Sequence, residues 1–171
     1  RRRAASDRHR ELLIVTSAIL EQLQQRLAPT VGEMSFARET LVVELPPTAL
    51  LATVELMRSE FAFDLFLDVT AVDWPGQTPR FEVVYHFYST RHFGRVRLKM
   101  RVPEQDPTVD SLVPLYGSAR FMERECHDMY GIVFRGNADL RPILLYEGFD
   151  GHPLRKDYPK DREQPLVPYR K

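Results

Sequence analysis

The chain has 171 residues, 43% hydrophobic and 28% charged, enough apolar material for the core of one domain. Twenty-four lysines and arginines balance 24 aspartates and glutamates; this zero net charge argues against nucleic acid as the main partner, since phosphate binding draws on a basic excess. The single cysteine, Cys126, excludes a disulfide framework, a thiolate zinc site and an iron–sulfur cluster held within these residues. No apolar run approaches the roughly 20 residues that cross a bilayer, so no direct membrane span is expected. No targeting signal is read into Arg1-Arg2-Arg3.

From Ser6 to Ala28 apolar residues recur at helical spacing (Leu12/Leu13, Val15, Ile19/Leu20, Leu23, Leu27), and Pro29 ends the stripe. Leu41, Val43 and Leu45 alternate with Thr40, Val42 and Glu44, as in a short strand. Pro46-Pro47-Thr48 opens a second helix with a line of Leu50, Val54, Met57 and Phe61. Three period-two segments follow. The first sets Leu65, Leu67, Val69 and Ala71 on one face. The second sets Phe81, Val83, Tyr85 and Phe87, and the third Val96, Leu98, Met100 and Val102. Short connections join them antiparallel, with helices covering the apolar face. A third helix is expected from Ser118 to Tyr130, with Ser118 as cap, a buried stripe of Ala119, Met122, Cys126 and Met129, and Gly131 as terminator.

Residues 132–171 differ in kind. They are rich in proline and hold neither period, yet Ile143, Leu144, Leu145, Tyr146, Phe149, Leu154, Tyr158 and Tyr169 need an apolar surface, either the chain's own or a partner's. The expected fold class is therefore α+β: a mostly antiparallel sheet, helices packed on one face, and a long extended C-terminal tail. The core domain is placed at 1–131 and the partner-binding tail at 132–171.

Chemistry-bearing residues are densest from Glu123 to Asp128. Glu123, Glu125, His127 and Asp128 would be the ligands of a metal-dependent enzyme. The plainer reading is a polar helix face laced by i, i+4 ion pairs, with His86 and His92 in an ordinary strand and loop. Cys126 and His127 point about 100° apart on a helix and make no dyad, so Cys126 belongs to the core. Arg95, Arg97, Lys99 and Arg101 put four cations on one strand face. They suggest either phosphate or RNA binding, or a solvated or partner-facing strand, and zero net charge favours the second. No phosphate loop, dinucleotide fingerprint or nucleophile elbow is present.

Two long motifs go further. Glu123-Arg124-Glu125-Cys126-His127-Asp128-Met129-Tyr130-Gly131-Ile132, followed by Gly151-His152-Pro153-Leu154-Arg155-Lys156-Asp157-Tyr158-Pro159, resembles the paired signature of one family of respiratory complex I (NADH:quinone oxidoreductase) subunits. This is the C-type family, the 30-kDa-type subunit of the peripheral arm. The stretches 66–75, 80–86 and 97–103 resemble it too, so the likeness covers roughly Leu65 to Pro159.

The resemblance implies a non-catalytic subunit, with no catalytic residue and no cofactor or metal of its own, in a complex that uses FMN, iron–sulfur clusters, NADH and quinone. Implied partners are the quinone-site subunit, the terminal iron–sulfur cluster subunit and a ferredoxin-like subunit. The implied location is peripheral, on the cytoplasmic face of the cell membrane, or the matrix side if mitochondrial. Related subunits in membrane-bound hydrogenases and other-donor quinone reductases are the alternative.

Under this resemblance Glu123, Arg124, Glu125 and Asp128 fix the third helix to the tail or a partner. Arg155, Lys156 and Asp157 supply complementary charge, Gly131 ends the helix, and Gly151, His152, Pro153 and Leu154 complete the signature. The chain departs from the family pattern at Arg135-Gly136-Asn137-Ala138-Asp139-Leu140-Arg141-Pro142, where a histidine, an acid and a second arginine are lost.

Overall fold

The structure is a computed structural model, and it describes residues 16–161. The fold is α+β. A five-stranded sheet has the order β1-β2-β5-β4-β3, and a two-stranded sheet pairs β6 with β7. The strands are β1 Met34–Ala37, β2 Thr40–Glu44, β3 Leu65–Asp73, β4 Phe81–Tyr88, β5 Arg95–Val102, β6 Thr108–Asp110 and β7 Val133–Arg135. Helix α1 spans 16–27 of the described residues, so the part of the expected first helix before Thr16 lies outside them. Helix α2 is Leu50–Phe61 behind a 3-10 turn at Pro47–Ala49, and α3 is Ala119–Tyr130.

The chain divides into two compact units, Arg1–Asp68 with Val84–Met100, and Val69–Val83 with Arg101–Lys171. In the first, the helical stripes Leu20, Leu23, Leu27 and Leu50, Val54, Met57 are almost fully buried. So are the sheet residues Leu41, Val43, Tyr85, Phe87, Val96, Leu98 and Met100. Each lies on the face that its period assigns to the core. The β1–β2 connection was not expected, because it carries no Gly or Asn. Arg38 and Glu39 themselves take positive φ, as a two-residue hairpin of this twist requires. The sheet is also mixed: β2 runs parallel to β5, with Thr40 opposite Arg95 and Glu44 opposite Lys99.

Two expected faces are corrected. In β3 the buried residues are Phe66, Val69, Ala71 and Asp73, while Leu65 and Leu67 are exposed. The alternation slips by one residue after Leu67, which strict period two does not allow for. In α3 the buried side chains are Ala119, Glu123, Cys126 and Asp128; Met122 and Met129 are only half-buried. Ser118 makes no side-chain cap, whereas Gly131 ends the helix in the left-handed conformation at φ 75°.

The second unit holds β6, α3 and β7 as a small βαβ element. Thr108 lies opposite Val133 and Asp110 opposite Arg135 in parallel register, and Arg135 bonds Asp110 at 2.8 Å.

Candidate functional site

Both acids buried on α3 bind donors in the chain that follows or precedes the helix. Glu123, fully buried, accepts from the Leu112 N–H at 2.7 Å, the Ser111 hydroxyl at 2.7 Å and the Asn137 amide at 2.9 Å. Burial pushes its carboxyl above the ordinary range, and those three bonds oppose the shift. Asp128 uses one oxygen, Oδ2, for three successive backbone N–H groups, Ile143, Leu144 and Leu145, at 2.7, 3.0 and 3.3 Å.

Arg124 donates to the Arg141 and Pro142 carbonyls at 2.9 and 2.8 Å and lies 3.9 Å from Asp139. Glu125 is exposed. The expected acid-to-base network between α3 and the tail is therefore realised mainly as charged side chains bonded to backbone.

The tail segment is joined to α3 by its own signature residues. The His152 ring sits 2.9 Å from the Asp128 carbonyl, the Leu154 N–H donates to the Met129 carbonyl at 3.1 Å, and Arg155 Nε donates to the Tyr130 carbonyl at 2.6 Å. These three carbonyls belong to the last turn of the helix, where no intrahelical donor remains. Gly131 is required there twice over. Its φ is left-handed, and a Cβ would stand 2.5 Å from both the Arg155 guanidinium and the His152 ring. Gly151, at φ 96°, brings the Tyr158 ring within 3.0 Å of where its own Cβ would be. Tyr158 stacks on Phe149, and Phe149 meets Tyr146 edge-on at 5.4 Å. Pro153 is half-buried and Leu154 exposed.

The hub of this cluster was not singled out from the sequence. Arg80, 9% exposed, makes a bidentate bond to the fully buried Asp73 at 2.7 and 2.8 Å. Its remaining nitrogen reaches Glu104 at 2.5 Å and Asp157 at 2.9 Å. Asp73 also accepts from the Lys156 N–H at 2.7 Å. Arg80 acts here on the charge of its partners. It holds Asp73 and Asp157 below the usual carboxylate range, and they hold its own proton more tightly still. Arg80 and Arg155 both lie over the Phe81 ring, at 5.0 and 4.9 Å. A signal for the hub was available: Asp73 shares the buried phase of Val69 and Ala71, and a buried acid needs a partner.

The departure from the family pattern is structurally employed. Asn137 bonds Glu123, and Asp139 gathers Arg120, Arg124 and Arg141. Among the described residues no three His, Cys, Asp or Glu side chains converge as a metal site, and no helix is long and apolar enough to cross a membrane.

Fold and site together define an α+β packing module whose buried charges tie its loops to one helix and to one another. Residues 43–164 match the model of the respiratory-chain NADH dehydrogenase 30 Kd subunit, and the chain belongs to that family.

It is 40% identical over 146 residues to the C-type subunit of NADH-quinone oxidoreductase from a Methylobacterium species, covering 82% of this chain and 67% of that one. It is 43% identical over 131 residues to the mitochondrial NADH dehydrogenase (ubiquinone) iron-sulfur protein 3 of Candida albicans, covering 75% and 47%. The chain thus spans about two thirds of the bacterial relative and about half of the yeast one.

Among solved structures, the Nqo5 trypsin-resistant fragment (1-134) superposes with TM-score 0.62 at 28% identity, covering 74% of this chain and 99% of that one. A chain of an archaeal membrane-bound sulfane sulfur reductase, a respiratory membrane complex, superposes with TM-score 0.74 at 28% identity, covering 84% and 85%. The yeast relative's name calls it an iron–sulfur protein, which would imply a cluster. The residues here do not fit one, because the single cysteine, Cys126, is buried at 2% exposure and a cluster takes four thiolates or two plus two histidines.

Proposed function

We propose that this chain is a subunit of the peripheral arm of NADH:quinone oxidoreductase, and that it works as a scaffold rather than as an electron carrier. The family match over residues 43–164 carries this reading. The chemistry of the site supports it. Glu123, Asp128, Asp73 and Arg80 spend their hydrogen-bonding capacity on this chain's own N–H groups, hydroxyls and ions. In this reading those groups position structure.

In this reading segment 132–171 is the partner-binding tail. Ile143, Leu144 and Leu154, exposed at 38%, 62% and 48%, are its apolar anchors among the described residues. The signature residues Glu123 to Gly131 and Gly151 to Asp157 aim those anchors. The partners are the quinone-site subunit, the terminal iron–sulfur subunit and the ferredoxin-like subunit. FMN, clusters, NADH and quinone belong to the whole complex, and the chain sits peripherally on the cytoplasmic or matrix side of its membrane. The likeness to the sulfane sulfur reductase chain favours one second reading, the equivalent subunit of a membrane-bound hydrogenase or other-donor complex.

The test is to tag the chain in its host, solubilise membranes gently and identify what co-purifies. Recovery of quinone-site and iron–sulfur subunits together with flavin and NADH-oxidising subunits is the expected result. Recovery without the flavin subunits selects the second reading, and recovery of the chain alone rejects both.

A further inference from the structure

The chain after α3 is held in two places, which differ in what opening them would leave behind. Residues 137–145 are bonded to acids in the interior. Lifting them takes from one oxygen of the buried Asp128 the N–H groups of Ile143, Leu144 and Leu145, and from the fully buried Glu123 the Asn137 amide. It also strips the Arg141 and Pro142 carbonyls from Arg124. Taking donors from a buried carboxylate is costly.

Residues 152–158 leave behind groups that are still paired or that meet water. Asp73 keeps the bidentate bond of Arg80 when the Lys156 N–H departs. Arg80 keeps Asp73, and its Nη1 keeps Glu104 when Asp157 departs, because that one nitrogen serves both acids, at 2.5 and 2.9 Å. The Asp157 side chain is 61% exposed and that of Glu104 49%, so a lifted Asp157 passes to water at little cost. The Asp128, Met129 and Tyr130 carbonyls that hold His152, Leu154 and Arg155 lie in the last helical turn, where water can take the place of a cap. Burial is the first cause that lowers the Arg155 pKa, so lifting the segment rehydrates a charge that closure desolvates.

We propose that residues 152–158 form a releasable strap. They lift from α3 together while Ile143, Leu144 and Leu145 stay bonded to Asp128, and Glu104 holds the Arg80 charge while Asp157 is away. The opening uncovers the last turn of α3 and leaves the course of 137–145 in place. This device goes beyond the assembly reading and does not rest on it.

Native-state hydrogen exchange on the full chain, residue by residue at low denaturant, tests the strap. The Leu154 and Lys156 N–H groups should exchange together, on the order of tenfold faster than those of Ile143 and Leu144 after correction for intrinsic rates. Equal protection at the two places, or slower exchange at Leu154 and Lys156, overturns the proposal. Glu104→Gln tests the reserve partner. Without that acid Arg80 depends more on Asp157, so exchange at Leu154 and Lys156 should slow about threefold while Ile143 and Leu144 keep their rates. Unchanged or faster exchange at Leu154 and Lys156 in this variant removes Glu104 from the device and overturns the proposal as well.

Discussion

The two units bury very different material. In Arg1–Asp68 with Val84–Met100 the buried side chains are mainly Leu, Val, Met, Phe and Tyr, ordered by helical and strand periods, and the buried polar ones are the neutral Thr16, Thr53 and Ser89. In Val69–Val83 with Arg101–Lys171 the interior has apolar residues too, such as Phe81, Leu112 and Phe134, but it adds Asp73, Arg80, Ser111, Glu123 and Asp128, each bonded to a loop or to another charge. Apolar burial is non-directional and tolerates repacking, so the first kind of interior specifies little beyond which face points inward. Buried polar groups accept few arrangements, because each must find its donor. The polar unit is thus suited to fixing the course of an irregular chain such as 137–158.

Four substitutions sharpen or break this contrast. The largest loss is expected for Asp73→Ala, which takes the bidentate partner from the buried Arg80 guanidinium and leaves it only the more exposed Glu104 and Asp157. It should cost about 4 kcal/mol by chemical denaturation, and a loss below about 1 kcal/mol would show that the hub is ornamental. Leu98→Ala, in the apolar unit, should cost about 3 kcal/mol by leaving a cavity in the core. It should leave trypsin cleavage after Arg155 and Lys156 unchanged, whereas Asp73→Ala should accelerate it. Equal cleavage of the two variants would break the distinction between the units.

Smaller effects appear in acid. Asp73 has a lowered carboxyl, so its stabilisation is complete above its ordinary value of 3.8 and is lost as pH falls through the lower folded value. Glu123 has the opposite sign. Its carboxyl is raised above 4.5, so the penalty of burying its charge is relieved as pH falls through the folded value. The denaturation midpoint should therefore rise slightly before it falls on acidification, and Glu123→Gln should abolish the rise. A wild-type midpoint that falls monotonically from neutral pH would contradict that assignment. The smallest effect belongs to Glu125→Ala, within about 0.5 kcal/mol, since the side chain is exposed. A larger loss measured on the isolated chain would mean that Glu125 stabilises the fold itself.

Much of the apolar unit was legible in the sequence for the same reason that it is simple. Val96, Leu98 and Met100, or Leu50, Val54 and Met57, declare their face by spacing alone. Legibility failed where a position breaks its period or where a bond spans distant sequence. The slip after Leu67 exposes Leu65 and Leu67 while Val69 and Ala71 keep their expected face, and the hairpin at Arg38-Glu39 lacks the residues that normally announce one. On α3 the acids look like a solvated face, because spacing does not reveal that loops at Ser111–Leu112 and Ile143–Leu145 come to cover them. Spacing puts the signature residues on α3 and on the segment after it, but it does not reveal what they bond to. Only a folded chain brings Asp157 to Arg80 or Arg155 to the end of α3.

The parallel pairing of β2 with β5 also bears on how the chain is made. Among the described strands β2 leaves the ribosome with β1 as its neighbour, and its other edge stays open until β5 has been synthesised. During that interval Leu41 and Val43 lack half of their eventual ladder, in the form of nascent chain most apt to pair with a stranger. Completion of the sheet is thereby tied to translation past Val102, a built-in delay that makes the early chain a natural client for holding factors.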